Sequence, residues 1–296
     1  HIPPPTQKGV FAYGSTSGVV SLKNLLGSNG VIAADVTGVG TARQQIGATS
    51  YGGDKAIFAY GYTGGYVNMS NLVNTSGVIA ADVTGVGTAR YKVAAARFGG
   101  DKGIFAYGMK GGDALTNVSN LVSNSGVVAT DATGVGTARV ITAGVGYGGD
   151  KAIFAFGNSA SAGDYSLKNL VSNTGVIGSD VTGVGTARGA LAAVSYGVGL
   201  AIYTYGIDAA GTYYTVRNLV SNVGVVAADA SGAGTGRSFL AAAAYGGDKG
   251  AIAYGTTGTK VSTKNLVSNT GVVSADVSGV GTARSTLAGA GYSQSA

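Results

Sequence analysis

Apolar and polar residues alternate along this chain in short runs, and the runs recur in the same order six times. The first run of each unit is rich in small residues, as in Val93-Ala94-Ala95-Ala96 and Leu240-Ala241-Ala242-Ala243. It ends on an aromatic ring: Tyr51, Phe98, Tyr147, Tyr196, Tyr245 or Tyr292. The second run, Ala56 to Gly61 and its equivalents, is apolar on both alternating faces, the pattern of a strand sandwiched between sheets. A third run ends in Asn-Leu-Val (Asn169-Leu170-Val171), and a fourth covers segments such as Val272 to Asp276. Between these two lie turns such as Ser268 to Gly271, whose Asn and Gly tolerate the positive φ of tight hairpins, so the third and fourth runs are expected to pair antiparallel. A Gly-Val-Gly-Thr-Ala-Arg passage, or a close variant, then leads into the next unit, with Arg at 43, 90, 139, 188, 237 and 284.

Four short antiparallel strands in about 45–50 residues, repeated around a body, predict a β-propeller. The small residues of the first strand fit that reading, because strands nearest an axis are crowded by their counterparts. The chain enters a unit at its second strand (Lys8 to Gly14) and finishes on a lone first strand, residues 285–292. The expectation is therefore an all-β, six-bladed propeller of four-stranded antiparallel blades, closed by the C-terminal strand joining the N-terminal blade, since open sheet edges invite aggregation. Residues 1–7, with His1-Ile2-Pro3-Pro4-Pro5, read as a stiff lead-in, and 8–296 as one domain with blade boundaries near the six arginines.

Composition narrows the functional classes. Gly is 54 of 296 residues but has no three-residue period, and Pro is only three, which excludes collagen. All 13 acidic residues are Asp, cysteine is absent, and no apolar run approaches the ~18 residues of a membrane-spanning helix. The net charge of +6 is spread around the repeats, with Lys55, Lys102, Lys151 and Lys249 each following an Asp (54, 101, 150, 248). Nucleic-acid binding calls for a basic stripe interleaved with stacking aromatics, so no nucleic-acid partner is expected.

The order Arg90, Gly99-Gly100-Asp101-Lys102, Phe105-Ala106-Tyr107-Gly108 and later Asn-Leu-Val resembles the kelch repeat over nearly the whole chain. Two departures stand out. The paired glycines after the second strand are reduced to one (Gly61 in its unit), and the fourth-strand Trp is missing because the chain has no Trp. The near-identical units also resemble the Gly- and Tyr-rich propeller repeats of marine phage tail fibres. Those resemblances imply a propeller used for recognition, on a virion or outside the cell.

Catalytic chemistry finds little support. His1 is the only histidine, and there is no Cys or Glu, so a Ser-His-Asp triad, a Cys-His pair or a His-based zinc site has no residues in the folded body. No enzyme activity, cofactor or metal is expected. Asp35, Asp82, Asp131, Asp180, Asp229 and Asp276 each precede an Arg (43, 90, 139, 188, 237, 284) by eight residues, and each pair, within or between blades, is expected to tie the crossing between blades through charge-assisted hydrogen bonds.

The six copies disagree at two places: the loop between the second and third strands and the two residues after each Arg. A four-strand meander puts both on one face, opposite the Gly-Gly-Asp-Lys and Ser-Asn-Thr-Gly turns, which barely change. That face carries Tyr62, Tyr66, Tyr91, Lys92, Lys110, Asp113, Asp164, Tyr165, Tyr213, Tyr214 and Phe239, a composition suited to adaptable binding. The expected function is non-enzymatic recognition or adhesion toward a glycan or protein surface. The alternatives are a structural subunit that self-assembles or decorates a larger particle and, least favoured, a carbohydrate-active propeller enzyme.

Overall fold

The computed structural model describes residues 5–159 and 162–296; His1 to Pro4 of the lead-in, and residues 160 and 161 of one variable loop, lie outside the described residues. Among the described residues the fold is all-β, with seven three-stranded antiparallel sheets and a single short 3-10 turn at Gly111–Asp113. This arrangement is consistent with a β-propeller-like fold. Six of the sheets are built alike. In one of them the inner strand Gly47–Tyr51 pairs with the middle strand Lys55–Tyr62, which pairs with the outer strand Tyr66–Val73. The first unit draws its inner strand, Ala288–Tyr292, from the other end of the chain, in register with Lys8–Ala12 from Lys8 opposite Tyr292 to Ala12 opposite Ala288.

Burial explains why the residue types sort as they do. Middle strands are covered on both faces, so Val10, Phe11 and Ala12 are fully buried, as are Ile104, Phe105 and Ala106. Inner strands alternate buried and half-buried positions: Ala94, Ala96 and Phe98 are buried, whereas Ala95 and Arg97 line a central cavity. Inner strands touch in the order Gly47–Tyr51, Ala94–Phe98, Ala143–Tyr147, Ala192–Tyr196, Ala241–Tyr245 and Ala288–Tyr292, and the last also touches the first. The aromatic ring ending each inner strand rests on the hairpin glycine of the following unit, where a Cβ would meet it: Tyr51 over Gly126, Tyr245 over Gly30 and Tyr292 over Gly77.

The fourth run differs from expectation. It forms isolated bridges rather than a full strand: Leu26 pairs with Ile32 and Lys23 with Val36. The two bridges are out of step by one residue, which is the signature of a β-bulge. At the slip, Asn24 Nδ2 takes over as donor, bonding Ala33 O at 3.0 Å and Asp35 Oδ1 at 2.8 Å. The same side-chain substitution for ladder bonds recurs in every unit, for example Asn169 to Gly178 O and Asp180.

The seventh sheet extends one of the repeated units. Middle strands run into an aromatic at positive φ followed by Gly, as at Tyr107 (φ 64) and Gly108 (φ 112), which bends the ladder. Beyond that bend, the residue after the Arg meets the start of the variable loop: Gln44 bridges Tyr62, Val140 bridges Asn158 and Ser238 bridges Thr256. Around Tyr91 the bridge grows into a sheet of Arg90–Tyr91, Met109–Lys110 and Ala114–Leu115. Both variable sets thus lie at one end of the sheets.

Candidate functional site

The six arginines are wholly buried and sit between neighbouring units. Arg43 donates Nε to Tyr60 O (2.9 Å), Nη1 to Thr41 O (3.1 Å) and Nη2 to Asn71 Oδ1 (2.6 Å), all associated with its own unit. Its guanidinium also stacks on the ring of Tyr13, from the preceding unit, 4.4 Å from the centroid. Arg90 on Tyr60, Arg139 on Tyr107, Arg188 on Phe156, Arg237 on Tyr205 and Arg284 on Tyr254 repeat the contact. A charge this buried is held by hydrogen bonds to every edge and a ring on one face. Burial pushes each guanidinium below its ordinary value, Arg188 to about 10.

The carboxylate partners differ from the expected ones. Asp35 does not meet Arg43; it lies 3.8 Å from Arg284, while Arg43 lies 3.9 Å from Asp82 and Arg237 3.8 Å from Asp276. These separations exceed hydrogen-bond length. Asp82 is instead held by Thr41, through N–H at 3.0 Å and Oγ1 at 2.6 Å, and by Asn71 Nδ2 at 2.8 Å. Asn71 therefore relays between Arg43 and Asp82, as Asn24, Asn120, Asn169, Asn218 and Asn265 do in their units. The reason is topological: the bulge turns the Asp back toward the passage that precedes its own unit's inner strand. That passage carries two glycines for steric cause. A side chain at Gly183 would run into the backbone of Ser166, and one at Gly185, which is at φ +91, into Asp229.

All six Asp carboxyls lie below their ordinary value of 3.8: burial opposes ionisation, but hydrogen bonds from Thr and Asn and the nearby Arg charge outweigh it. A depressed folded-state value means that the stability these groups contribute is complete above 3.8 and is lost as pH falls through the folded value. Urea midpoints are therefore expected to hold above about pH 4 and to drop steeply below it. A midpoint unchanged on acidification would show that these carboxylates ionise alike in folded and unfolded chains.

At the variable end, the structure sorts the candidate residues into three groups. Tyr62, Tyr66 and Tyr91 form one cluster, with ring centroids 5.3 to 5.9 Å apart. Lys92 Nζ stands 5.1 Å from the Tyr91 ring, Tyr91 Oη is 3.2 Å from Met109 Sδ, and Tyr66 Oη donates to Asp113 Oδ1 at 2.5 Å. That bond to Asp113 raises the Tyr66 phenol above its ordinary value. The three rings are half-buried, Asp113 and Lys110 exposed. The cluster joins two successive units, because Asp113 and Tyr91 come from the unit after Tyr62 and Tyr66.

A second group ties two other loops together. Asp164 accepts from Asn158 Nδ2 at 2.9 Å and from the Ala209 backbone N–H at 2.5 Å, and Tyr214 Oη donates to Asp208 at 2.7 Å. Tyr165 pairs with Gly157 in the hairpin, and Tyr213 bridges Ile207. Phe239 belongs to the third group, near the axis. Gln45, Lys92, Ile141, Ala190, Phe239 and Thr286 all have φ between 49 and 57, and their backbones bond from unit to unit: Lys92 N to Gln45 O, Ala190 N to Ile141 O, Phe239 N to Ala190 O, Thr286 N to Phe239 O and Gln45 N to Thr286 O. Lys92 thus serves two groups. These residues surround a cavity of only about 100 Å³.

At the opposite end the Gly-Gly-Asp-Lys turns and their equivalents are linked in the same manner. Gly52 N bonds Asp101 O, Gly99 N bonds Asp150 O, Gly197 N bonds Asp248 O, Gly246 N bonds Gln7 O and Ser293 N bonds Asp54 O. Between the two ends lies a cavity of about 590 Å³ walled by the inner strands.

Among the described residues no cluster of His, Cys, Asp or Glu is arranged to hold a metal ion, and no helix is long and apolar enough to cross a membrane. No family model matches the sequence, and no curated protein matches it.

Proposed function

We propose that the chain is a closed six-bladed β-propeller of the kelch-like kind that acts as a non-enzymatic recognition module, binding a glycan or protein surface through its variable end. Closure is supported by the interfaces themselves: Arg284 on Tyr254, Tyr245 over Gly30 and Tyr292 over Gly77 reproduce at the chain ends the contacts made between all other units. The observation that carries the functional reading is the Tyr62–Tyr66–Tyr91 cluster. Three half-exposed rings from two units, flanked by an exposed carboxylate and a lysine, offer flat apolar faces beside hydrogen-bonding groups, which is what a sugar or a loop of protein requires. Such a module belongs outside the cell or on a virion, as in tail fibres.

Glycan-array screening of the purified protein tests this. Hits are expected, and Tyr66→Ala and Tyr91→Ala are expected to weaken them by tenfold or more, about 1.4 kcal/mol or above, with the thermal midpoint preserved. Unchanged binding by both variants would remove this face from consideration.

A second reading, that of an assembling structural subunit, draws on the outer rim. Val31, Val78, Val127, Val176, Val225 and Val272 are 53 to 66% exposed, one on the fourth run of each unit. Repeated apolar positions along a bulged sheet edge favour lateral contact between particles. Light scattering across a concentration series separates the readings, since an assembling subunit grows in mass and a monomeric binder does not.

A further inference from the structure

The central cavity holds a single irregular feature. Its inner-strand lining positions, half-buried except for the buried Gly291, form two tiers: Ala48, Ala95, Gly144, Ala193, Ala242 and Gly289, then Ser50, Arg97, Gly146, Ser195, Ala244 and Gly291. Eleven of the twelve positions are Ala, Gly or Ser, and the twelfth is an arginine. Of the six equivalent places in its tier, only this one bears charge.

Arg97 is not consumed by the fold. Its Nε donates to Gly100 O at 2.6 Å, which fixes the side chain, but among the described residues its two Nη groups have no hydrogen-bond partner and no carboxylate lies within ion-pair distance. Asp101, the nearest acidic influence on it, is engaged with Lys102 at 3.3 Å and Asn124 at 3.2 Å. The six interblade arginines, by contrast, spend every nitrogen. A guanidinium with a free planar fork, half-withdrawn from water among apolar walls, is a poor structural element and a good receptor for a planar anion.

We infer that the axial cavity is a second binding site, separate from the tyrosine face, and that it takes a small organic carboxylate, whose anionic end lies in the fork of Arg97. The volume of about 590 Å³ falls within the range of small-ligand sites. The walls supply Ala and Gly surface for an apolar body. The hydroxyls of Ser50 and Ser195 donate to Gly291 O (2.6 Å) and Gly146 O (2.8 Å), which leaves their oxygens as acceptors for a ligand hydroxyl. Bidentate pairing of carboxylate with guanidinium gives orientation as well as affinity. At the end bearing the Gly-Gly-Asp-Lys turns, Pro5, Thr6, Lys151, Val198 and Asp248 also line the cavity.

Benzoate is the probe and benzamide, its uncharged analogue, the control. Titration of arginine-labelled protein, followed by the Nε–H resonance of Arg97, is expected to saturate with benzoate and to require at least tenfold more benzamide. Arg97→Met is expected to abolish the saturable response as read by calorimetry, with its thermal midpoint within a few degrees of the parent because the one bond lost is that from Nε to Gly100 O, at a part-buried place. Arg97→Lys retains charge but not the fork and is expected to bind benzoate several-fold more weakly. Equal response to benzoate and benzamide, undiminished binding by Arg97→Met, or no saturation with benzoate would each overturn the inference. Failure of the tyrosine variants on the array would leave this result untouched, since the two sites share no residue.

Discussion

Removal of residues 285–296 is expected to abolish cooperative folding or to lower the thermal midpoint by at least about 10–20 °C. The segment supplies the inner strand of the first unit, and all five residues of Ala288–Tyr292 pair with Lys8–Ala12. Leu287, Ala290 and Tyr292 are 6, 6 and 3% exposed. Burial of a Leu and a Tyr of this degree contributes about 1.5–3 kcal/mol each. Their loss adds to that of the Gln7–Ser293, Ser293–Asp54, Gln45–Thr286 and Thr286–Phe239 backbone bonds, whose partners would be exposed. The sum passes about 5 kcal/mol, at the scale of a whole domain's stability, and each kcal/mol moves the midpoint of a chain this size by about 2–4 °C. The truncated chain would also present the middle strand Lys8–Ala12 as a bare, apolar edge, so aggregation is expected to accompany unfolding. A circular permutant that begins at Ser285 and joins Ala296 to Pro5 through a short Gly-Ser linker restores the strand and its pairing with Lys8–Ala12. Its midpoint is expected within a few degrees of the parent. A truncated protein with the parent's midpoint would mean that the strand pairing contributes nothing, and the inferred closure would fall with it.

The strand content was legible because it rests on local pattern. Small residues alternating through Ala94 to Phe98, continuous apolar residues through Ile104 to Ala106 and turn residues between them leave few options other than short antiparallel strands. What hydropathy could not show was the work of a polar side chain inside the pattern. Asn71 sits in a strand of mixed polarity, Tyr66–Val73, and reads as one more strand residue, yet it replaces the ladder bonds at the bulge and joins Arg43 to Asp82. A signal was present, since Asn recurs at this place in all six units while the residue before it changes among Lys, Ser and Arg. The eight-residue offset between Asp35 and Arg43 misled for a related reason: proximity in sequence carried no information about the direction in which the bulge turns the Asp. On the variable end, sequence grouped eleven residues by face. Only side-chain packing separates the Tyr62–Tyr66–Tyr91 cluster from Phe239, whose backbone is fixed in the ring around the axis. Arg97 escaped notice because it sits in a small-residue strand, and its significance appears only when six strands are brought around one cavity.

Replacement of a single buried arginine is expected to cost more than replacement of its carboxylate neighbour, and this ordering tests what joins the units. Arg139 is wholly buried, donates to Phe156 O (2.9 Å), Thr137 O (3.1 Å) and Asn169 Oδ1 (2.8 Å), and stacks 4.2 Å from the Tyr107 centroid. Arg139→Ala leaves three acceptors without donors and a void between two units. Each orphaned buried acceptor costs about 1–3 kcal/mol before relaxation, and removal of a buried, fully bonded charge typically costs about 3–5 kcal/mol in total. Arg139→Lys keeps the charge but cannot reach all three acceptors or lie flat on the ring, so a loss of about 2 kcal/mol is expected. Asp180 is exposed and meets Thr137 and Asn169 rather than Arg139 by direct hydrogen bond. Asp180→Asn should therefore cost only about 1 kcal/mol at neutral pH. Urea denaturation of the three variants gives the comparison directly. A penalty for Asp180→Asn as large as that for Arg139→Ala would make the ion pair the fastener. The expected ordering assigns that role to the guanidinium, its carbonyl and Asn acceptors, and the ring of the neighbouring unit.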